Sequence, residues 1–128
     1  MGSPVTPDEL SERLLEFAVR VGKVVDALPD TRLGRHIAGQ LVRCGPSPPP
    51  NYEEACAAES RADFVHKMKI VLKELRETRF WLRFIARTGS LSGAQMAGLL
   101  DECTQLCNIF GKSTVTAKGV SKKQPESK

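Results

Sequence analysis

The chain has 128 residues, enough for one domain whose core needs no disulfide or metal to hold it together. Only 5% of the residues are aromatic, and leucine, alanine, arginine, lysine and glutamate dominate, a composition typical of helical proteins. The longest apolar runs are only a few residues, so no membrane span is expected. The four cysteines form no C-x-x-C pair and are expected to be reduced thiols in a cytoplasmic protein.

The positive charge is concentrated in two segments. Residues 112–128 hold five lysines and one glutamate, which accounts for the whole net charge of +4. Residues 1–111 balance at 14 basic and 14 acidic side chains, but residues 60–88 hold eight basic and three acidic ones. Residues 1–30 hold three basic and six acidic side chains. Excess positive charge is therefore expected on one helix and one tail.

A first helix is predicted over residues 7–28, after an extension of residues 1–6. Thr6 can cap it, Pro7 suits its first position, and Glu9 can complete a capping box. Apolar residues then recur at alternating spacings of four and three: Leu10, Leu14, Phe17, Val21, Val24 and Leu28. Pro29 ends the helix because it disfavours helical geometry in the preceding residue.

A second helix is predicted over residues 31–44. The residues expected to face inward are Leu33, Ile37, Leu41 and Cys44. Four of the next six residues, Gly-Pro-Ser-Pro-Pro-Pro at 45–50, are prolines, which lack amide donors and have rings that clash with a preceding turn. A regular α-helix is therefore expected to be interrupted there.

Two interpretations of residues 51–88 stay open. Asn51 can cap a continuation of the second helix over residues 52–58, and Ser60 can cap a separate helix over residues 60–88. The alternative is one helix from 52 to 87, which would be about 54 Å long. The broken form is favoured because so long a helix would overhang its neighbours.

The helix predicted over residues 60–88 has two distinct faces. Its inward face follows a strict alternation of four and three: Phe64, Met68, Val71, Leu75, Thr78, Leu82 and Ile85. On the opposite arc lies what we call the cationic stripe: Lys69, Lys73, Arg76, Arg79, Arg83 and Arg87. The pattern thus predicts both a packing surface and a charged surface.

A last helix is predicted over residues 92–113. Its expected inward residues are Met96, Leu99, Cys103, Leu106 and Phe110. Residues 114–128 are rich in lysine, serine and glycine and are expected to form a disordered basic tail. The predicted fold is an all-α, antiparallel up-and-down four-helix bundle over residues 7–113, with its second helix interrupted by the proline-rich segment.

Four segments carry a resemblance to a known family: QLVR at 40–43, NYEEA at 51–55, ESRADF at 59–64 and KELRETRFWL at 73–82. In this order and spacing they closely resemble the bacterial four-helix bundle proteins encoded in intervening sequences of large-subunit ribosomal RNA genes. The resemblance covers about residues 17–110. It departs at Pro46 and at the prolines of 48–50, where many relatives have small residues and the second helix can run on.

The resemblance implies a homopentamer of bundles without catalytic residues. The family also includes the accessory variability determinant of diversity-generating retroelements, which binds nucleic acid and a reverse transcriptase. The partners implied are therefore further copies of the chain, RNA or DNA, and a reverse transcriptase or other protein. Within the resemblance, two functions stay open: an oligomeric adaptor that binds nucleic acid electrostatically, and a protein–protein interaction module that does not.

Two surfaces of the long helix are candidates for these contacts. The cationic stripe is either an ordinary solvated face, with Glu74 and Glu77 pairing nearby cations, or a phosphate-binding surface repeated around an oligomer. Ile70, Trp81 and Phe84 lie about 100 to 160° from the inward face and border the stripe. They either contact a second subunit or pack beneath the proline-rich loop.

Other polar residues near the core are expected to have structural roles, and we expect Arg43 to be paired across the bundle or a subunit boundary. The set is Gln40, Arg43, Glu54, Glu74 and Glu77.

No enzyme, cofactor or metal site is expected. A di-iron bundle needs two Glu-x-x-His motifs, and the chain has only Asp63-x-x-His66. Cys103 and Cys107 could join His66 around zinc, but Cys103 has a core position.

Overall fold

The computed structural model describes the backbone of residues 5–126 and the side chains of residues 5–119. The helices are α1 (Pro7–Ala27), α2 (Arg32–Cys44), α3 (Pro48–Cys56), α4 (Arg61–Thr88) and α5 (Gly93–Glu126). Together α2 and α3 form one interrupted arm between α1 and α4, and α5 closes the bundle against α1 and α4. The architecture is the predicted all-α four-helix bundle. None of the helices described is long and apolar enough to cross a membrane.

Side-chain caps explain where three of the helices begin. Thr6 and Glu9 form the predicted capping box, in which each side chain accepts a hydrogen bond from the other residue's backbone amide. Thr31 caps α2 through the amide of Gly34, and Ser60 caps α4 through the amide of Asp63. The predicted break before residue 61 is therefore correct. Residues 1–4 of the predicted N-terminal extension lie outside the described residues.

The core is continuous along the bundle axis. The predicted apolar spacings bury Leu14 and Phe17 of α1, Leu75 and Leu82 of α4, and Phe110 of α5 almost completely. Tyr52 of α3 meets the Phe110 ring edge-on, with the centroids 5.3 Å apart. Large side chains from the separate helices thus fill one shared interior.

The prediction that Leu33 of α2 faces inward is wrong. Leu33 is 43% exposed, whereas its neighbour Gly34 is buried. A side chain at Gly34 would overlap the carbonyl oxygen of Pro29, because the turn before α2 folds closely over the helix start. That close approach fixes the rotation of α2 and leaves Leu33 at the edge of the core.

The proline-rich segment interrupts the second arm differently from the prediction. The restart expected near Asn51 is wrong, because α3 already begins at Pro48. Prolines suit the first turn of a helix, where the missing amide hydrogens have no intrahelical acceptor. Asn51 does not cap α3; its side-chain amide donates to the backbone oxygen and hydroxyl of Ser47, at 3.0 and 3.2 Å. The arm is therefore bent at residues 45–47 rather than broken over a longer loop.

The last helix is longer than predicted. A disordered tail was expected from residue 114, but α5 continues to Glu126. Thr114 and Ala117 are buried, with exposures of 5% and 8%. Thr114 also donates its hydroxyl hydrogen to the Phe110 backbone oxygen at 2.7 Å. These small residues extend the inward face of α5 beyond Phe110, which is why the helix remains on the bundle.

Candidate nucleic-acid interface

The α4 helix fixes which side chains face solvent. It begins at the Ser60 cap and ends at Gly89, whose φ of 72° is the left-handed conformation that terminates helices. The buried side chains between these ends set its rotation: Met68, Val71, Leu75, Thr78, Leu82 and Ile85. Because these six residues face the core, the opposite arc of α4 is held towards solvent along the length of the helix.

Five members of the cationic stripe lie on that exposed arc: Lys69, Lys73, Arg76, Arg83 and Arg87. Arg79 differs, because its side chain is half-buried and its Nε atom is buried without a hydrogen-bond partner. It lies at the α5 border, where its charge lowers the pKa of Cys107. The exposed part of the stripe therefore has five cations, whereas the sequence predicted six.

None of the stripe's side chains forms an ion pair within the side chains described. The sequence left open that Glu74 and Glu77 neutralise neighbouring cations of α4. Glu77 instead accepts a hydrogen bond from Arg43 of α2 at 2.7 Å, and Glu74 has a buried oxygen without a partner. The ion pairs formed elsewhere are Arg13–Glu102, Arg35–Asp30, Arg43–Glu77 and Lys67–Glu54. The exposed cations of α4 therefore keep their full charge towards solvent.

The predicted structural polar residues fall into two groups. Arg43 donates to both Gln40 and Glu77, at 2.9 and 2.7 Å, and so connects α2 to α4. Glu54 lies apart from this group and pairs with Lys67 at 2.6 Å, connecting α3 to α4. The Arg43 side chain is 57% exposed, so this is a surface pair that contributes at most about 1 kcal/mol. Both pairs lie on the α2–α3 side of α4, away from most of the stripe.

The aromatic side chains beside the stripe form a continuous group that we call the aromatic cluster: His36, Phe80, Trp81 and Phe84. Trp81 is half-buried and meets the His36 ring of α2 at 5.7 Å between centroids. Phe84 and Ile70 are also half-buried, and Trp81 and Phe84 pack against the core. Trp81 and Phe84 therefore find apolar contacts within the chain, and their burial does not require a second subunit.

Two members of the aromatic cluster, His36 and Phe80, were not predicted from the sequence, and Phe80 is the one on α4. Its side chain is 52% exposed, and it stands almost opposite the inward face of α4, among the cations. Its ring contacts Trp81 edge-on at 4.9 Å and Phe84 at 6.2 Å. The sequence signal that could have identified Phe80 is an aromatic residue at the outermost position of a helix face that is rich in lysine and arginine.

A shallow depression of about 310 Å³ opens beside Phe80. Its lining consists of Phe80, Arg83, Phe84, Arg87 and Thr88. The Thr88 hydroxyl is already within hydrogen-bond distance of the Ile85 backbone oxygen and the Ser90 hydroxyl. The depression therefore combines an apolar aromatic floor with guanidinium groups and has no acidic side chain in its lining.

Three of the four cysteines, Cys44, Cys103 and Cys107, are buried, whereas Cys56 is exposed. Cys44 accepts a hydrogen bond from Thr78 at 3.3 Å, and burial raises its pKa. Cys103 donates its thiol hydrogen to the Leu75 backbone oxygen at 3.5 Å. The neighbouring Cys103 thiol and the positive charge of Arg79 lower the pKa of Cys107. His66 is exposed. Among the residues that the structure describes, no three histidine, cysteine or acidic side chains are grouped so that they could hold a metal ion.

Comparisons with known proteins agree with this architecture. The family model described as 23S rRNA-intervening sequence protein matches residues 9–112. A crystal structure of a protein of unknown function from the S23 ribosomal protein family of Bacteroides thetaiotaomicron is 32% identical to the chain, with a TM-score of 0.75. The similarity covers 81% of this chain and 96% of that protein. None of the curated proteins compared with the chain matches it.

Proposed function

The chain belongs to the 23S rRNA-intervening sequence protein family, and from this membership and the charges on α4 we propose that it is a non-enzymatic, homo-oligomeric bundle that binds nucleic acid. In this proposal the protein acts as an assembly or adaptor. It contacts phosphates rather than base edges, so its binding is largely insensitive to sequence and weakens as salt concentration rises.

The observation that carries the proposal is the row of unpaired cations on α4. Between Lys69 and Arg87 the helix rises about 27 Å, at 1.5 Å per residue. A single strand presents a phosphate about every 3.4 Å in a B-form duplex, so this length spans several phosphates. Glu77 pairs with Arg43 of α2, and Glu54 pairs with Lys67, an α4 cation that lies outside the stripe. The stripe is thus free to bind an external polyanion.

Oligomerisation would multiply this charge. Five exposed cations per subunit form a weak site, but a closed ring repeats them in every copy, and the family resemblance makes a pentamer the expected assembly. Two exposed apolar side chains one turn apart on α1, Leu15 and Val19, offer a subunit contact. Ile70, Trp81 and Phe84 also remain candidates for a subunit contact, because part of each side chain is exposed.

The proposal is tested by fluorescence anisotropy with a labelled RNA of mixed sequence. The stripe variant carries Lys69→Gln, Arg76→Gln and Arg83→Gln, and the matched control variant carries Lys23→Gln, Arg32→Gln and Arg35→Gln on α1 and α2. Both variants lose three positive charges from exposed positions. We expect the stripe variant to bind at least tenfold more weakly than the control variant. Equal affinities of the two variants would refute a site on α4.

The second candidate function is a protein–protein interaction module without nucleic-acid binding. It is favoured by the exposure of Leu15, Val19 and Val42, which are 50%, 44% and 58% exposed. Under this alternative the wild-type protein binds no RNA even at low salt, while Leu15→Ser with Val19→Ser releases a partner protein or dissociates the oligomer. Light scattering of the purified protein, recorded with its 260/280 nm absorbance ratio, separates the two candidates.

A further inference from the structure

Phe80 is held as a rigid platform on the outer face of α4. Its ring meets Trp81 edge-on, with an interplanar angle of 78°, and is flanked one turn later by Phe84. Trp81 is itself fixed by His36 of α2, at an interplanar angle of 74°. The half of Phe80 that remains in solvent is therefore presented in a fixed orientation, at little further entropic cost to a ligand.

The charges around this platform match a nucleotide. Arg83 and Arg87 line the same depression, lie one helical turn apart, and form no ion pair among the side chains described. Their spacing lets the two guanidiniums contact different phosphates on either side of one base. Arginine recognises phosphate oxygens through its fixed fork of N–H donors, and an aromatic face accepts any base by stacking.

A base can stack on Phe80 only if it is unpaired, since the bases of a duplex are stacked on one another inside the helix. We infer that the depression on α4 binds single-stranded nucleic acid, with one base against Phe80 and the flanking phosphates at Arg83 and Arg87. This inference rests on the proposed function and adds to it a preference for single strands. A second copy of the chain is the competing occupant, because the apolar side chains of α1 could also cover Phe80.

The observations favour nucleic acid over a second copy. The two arginines of the depression belong to a stripe that continues along α4 through Arg76, Lys73 and Lys69, all exposed. A strand passing over Phe80 would therefore meet positive charge well beyond the depression itself. A docked apolar helix face would instead have to remove these guanidiniums from water, which is costly without paired carboxylates.

The test compares a labelled single-stranded oligothymidine with a duplex of the same length, using the full chain and light scattering to record its oligomeric mass. Phe80→Leu keeps an apolar side chain but removes the aromatic face, and Phe80→Tyr restores that face. Val115→Ala, at an exposed apolar position on α5, is the control. Phe80→Leu should weaken single-strand binding by about 5- to 150-fold and leave duplex binding unchanged. Phe80→Tyr and the control variant should bind as the wild type does.

Trp81 supplies an independent readout, because it is the only tryptophan in the chain and its ring lies 4.9 Å from Phe80. Single strands should change its fluorescence in the wild type and in Phe80→Tyr, but not in Phe80→Leu. Unfolding curves establish that every variant is folded at the assay temperature.

The outcomes separate the two proposals. If the single strand and the duplex both bind in a salt-sensitive way and Phe80→Leu changes neither affinity, the stacking site is overturned while the phosphate-binding function stands. If neither the single strand nor the duplex binds, both the proposed function and the stacking site are overturned. A change in oligomeric mass with Phe80→Leu, without a change in single-strand affinity, would identify the depression as a subunit contact and overturn the inference.

Discussion

Replacing Gly34 with alanine should destabilise the protein, although glycine to alanine within a helix usually stabilises it. The new Cβ atom would overlap the Pro29 carbonyl oxygen and lie 3.0 Å from the Pro29 carbonyl carbon and 3.1 Å from the Thr31 hydroxyl oxygen. The Pro29 atoms belong to the backbone, so they cannot rotate away. The turn that positions α2 must therefore shift, and with it the Thr31 cap.

Two opposing effects determine how much Gly34→Ala changes the free energy of unfolding. Alanine in place of glycine ordinarily stabilises a helix by about 1 kcal/mol, whereas overpacking costs about 1–3 kcal/mol, and we take the upper value because the overlapped Pro29 atoms belong to the backbone. Gly39, five residues later on the same helix, is the matched control, because nothing lies within 4 Å of a Cβ atom there. We expect Gly34→Ala to lower the free energy of unfolding by about 2 kcal/mol and Gly39→Ala to raise it by about 0.5–1 kcal/mol.

Urea unfolding followed by circular dichroism measures both changes. For a chain of this length, each kcal/mol corresponds to a shift of roughly 3–6 °C in the thermal midpoint, so the two variants should move in opposite directions from the wild type. If Gly34→Ala were as stable as Gly39→Ala, the close approach of Pro29 to α2 would be wrong, and so would the explanation for the exposure of Leu33.

Three further predictions concern the core and the ionisable groups. Phe110→Ala should cost about 3–5 kcal/mol in urea unfolding, since the ring is fully buried against Tyr52, and a cost below about 1 kcal/mol would contradict this packing. Ala117→Asp should cost about 1–3 kcal/mol while Thr116→Asp, at an exposed neighbour, stays within about 0.5 kcal/mol; equal effects would contradict the path of α5 beyond residue 113. Burial raises the pKa values of Cys44 and Tyr52, so the folded protein keeps protons that the unfolded chain releases, and the free energy of unfolding should fall as pH rises above the ordinary thiol value of 9.0. Cys44→Ala should flatten this decline in urea titrations between pH 8 and 10, and an unaltered decline would contradict the assignment.

The predicted helix ends were most accurate where the sequence contains a cap. Thr6 with Glu9, and Ser60 with Asp63, each place a hydroxyl oxygen three residues before an amide that needs an acceptor. These are local interactions, and they set the starts of α1 and α4 whatever the rest of the chain does. At residues 45–51 the prediction failed because the prolines were interpreted only as helix breakers, whereas they form the first turn of α3.

The length of α5 was mispredicted because small residues give a weak periodic signal. Thr114 and Ala117 follow Phe110 at spacings of four and three, which continues the inward pattern, but neither residue is strongly apolar. A composition of lysine, serine and glycine therefore dominated the prediction. Burial of small side chains depends on how closely a neighbouring helix approaches, and sequence spacing alone does not report that distance.

Part of the candidate surface could be derived from the sequence and part could not. Helical spacing alone identified the stripe, because exposure on α4 follows from the position of its inward face. Spacing did not reveal that Glu77 pairs with Arg43 on another helix, that Arg79 turns towards the α5 border, or that Trp81 is covered by His36. Each of these depends on a contact between elements distant in sequence.

The salt dependence of single-strand binding tests the central claim most directly. Neutralising five phosphates per subunit predicts a slope of about −3.5 for the logarithm of the association constant against the logarithm of salt concentration. In the stripe variant, which lacks three of these cations, the slope should become shallower by about 2. The control variant with substitutions on α1 and α2 should keep the wild-type slope. A slope near zero for the wild type, or the same slope in the stripe and control variants, would contradict phosphate binding on α4.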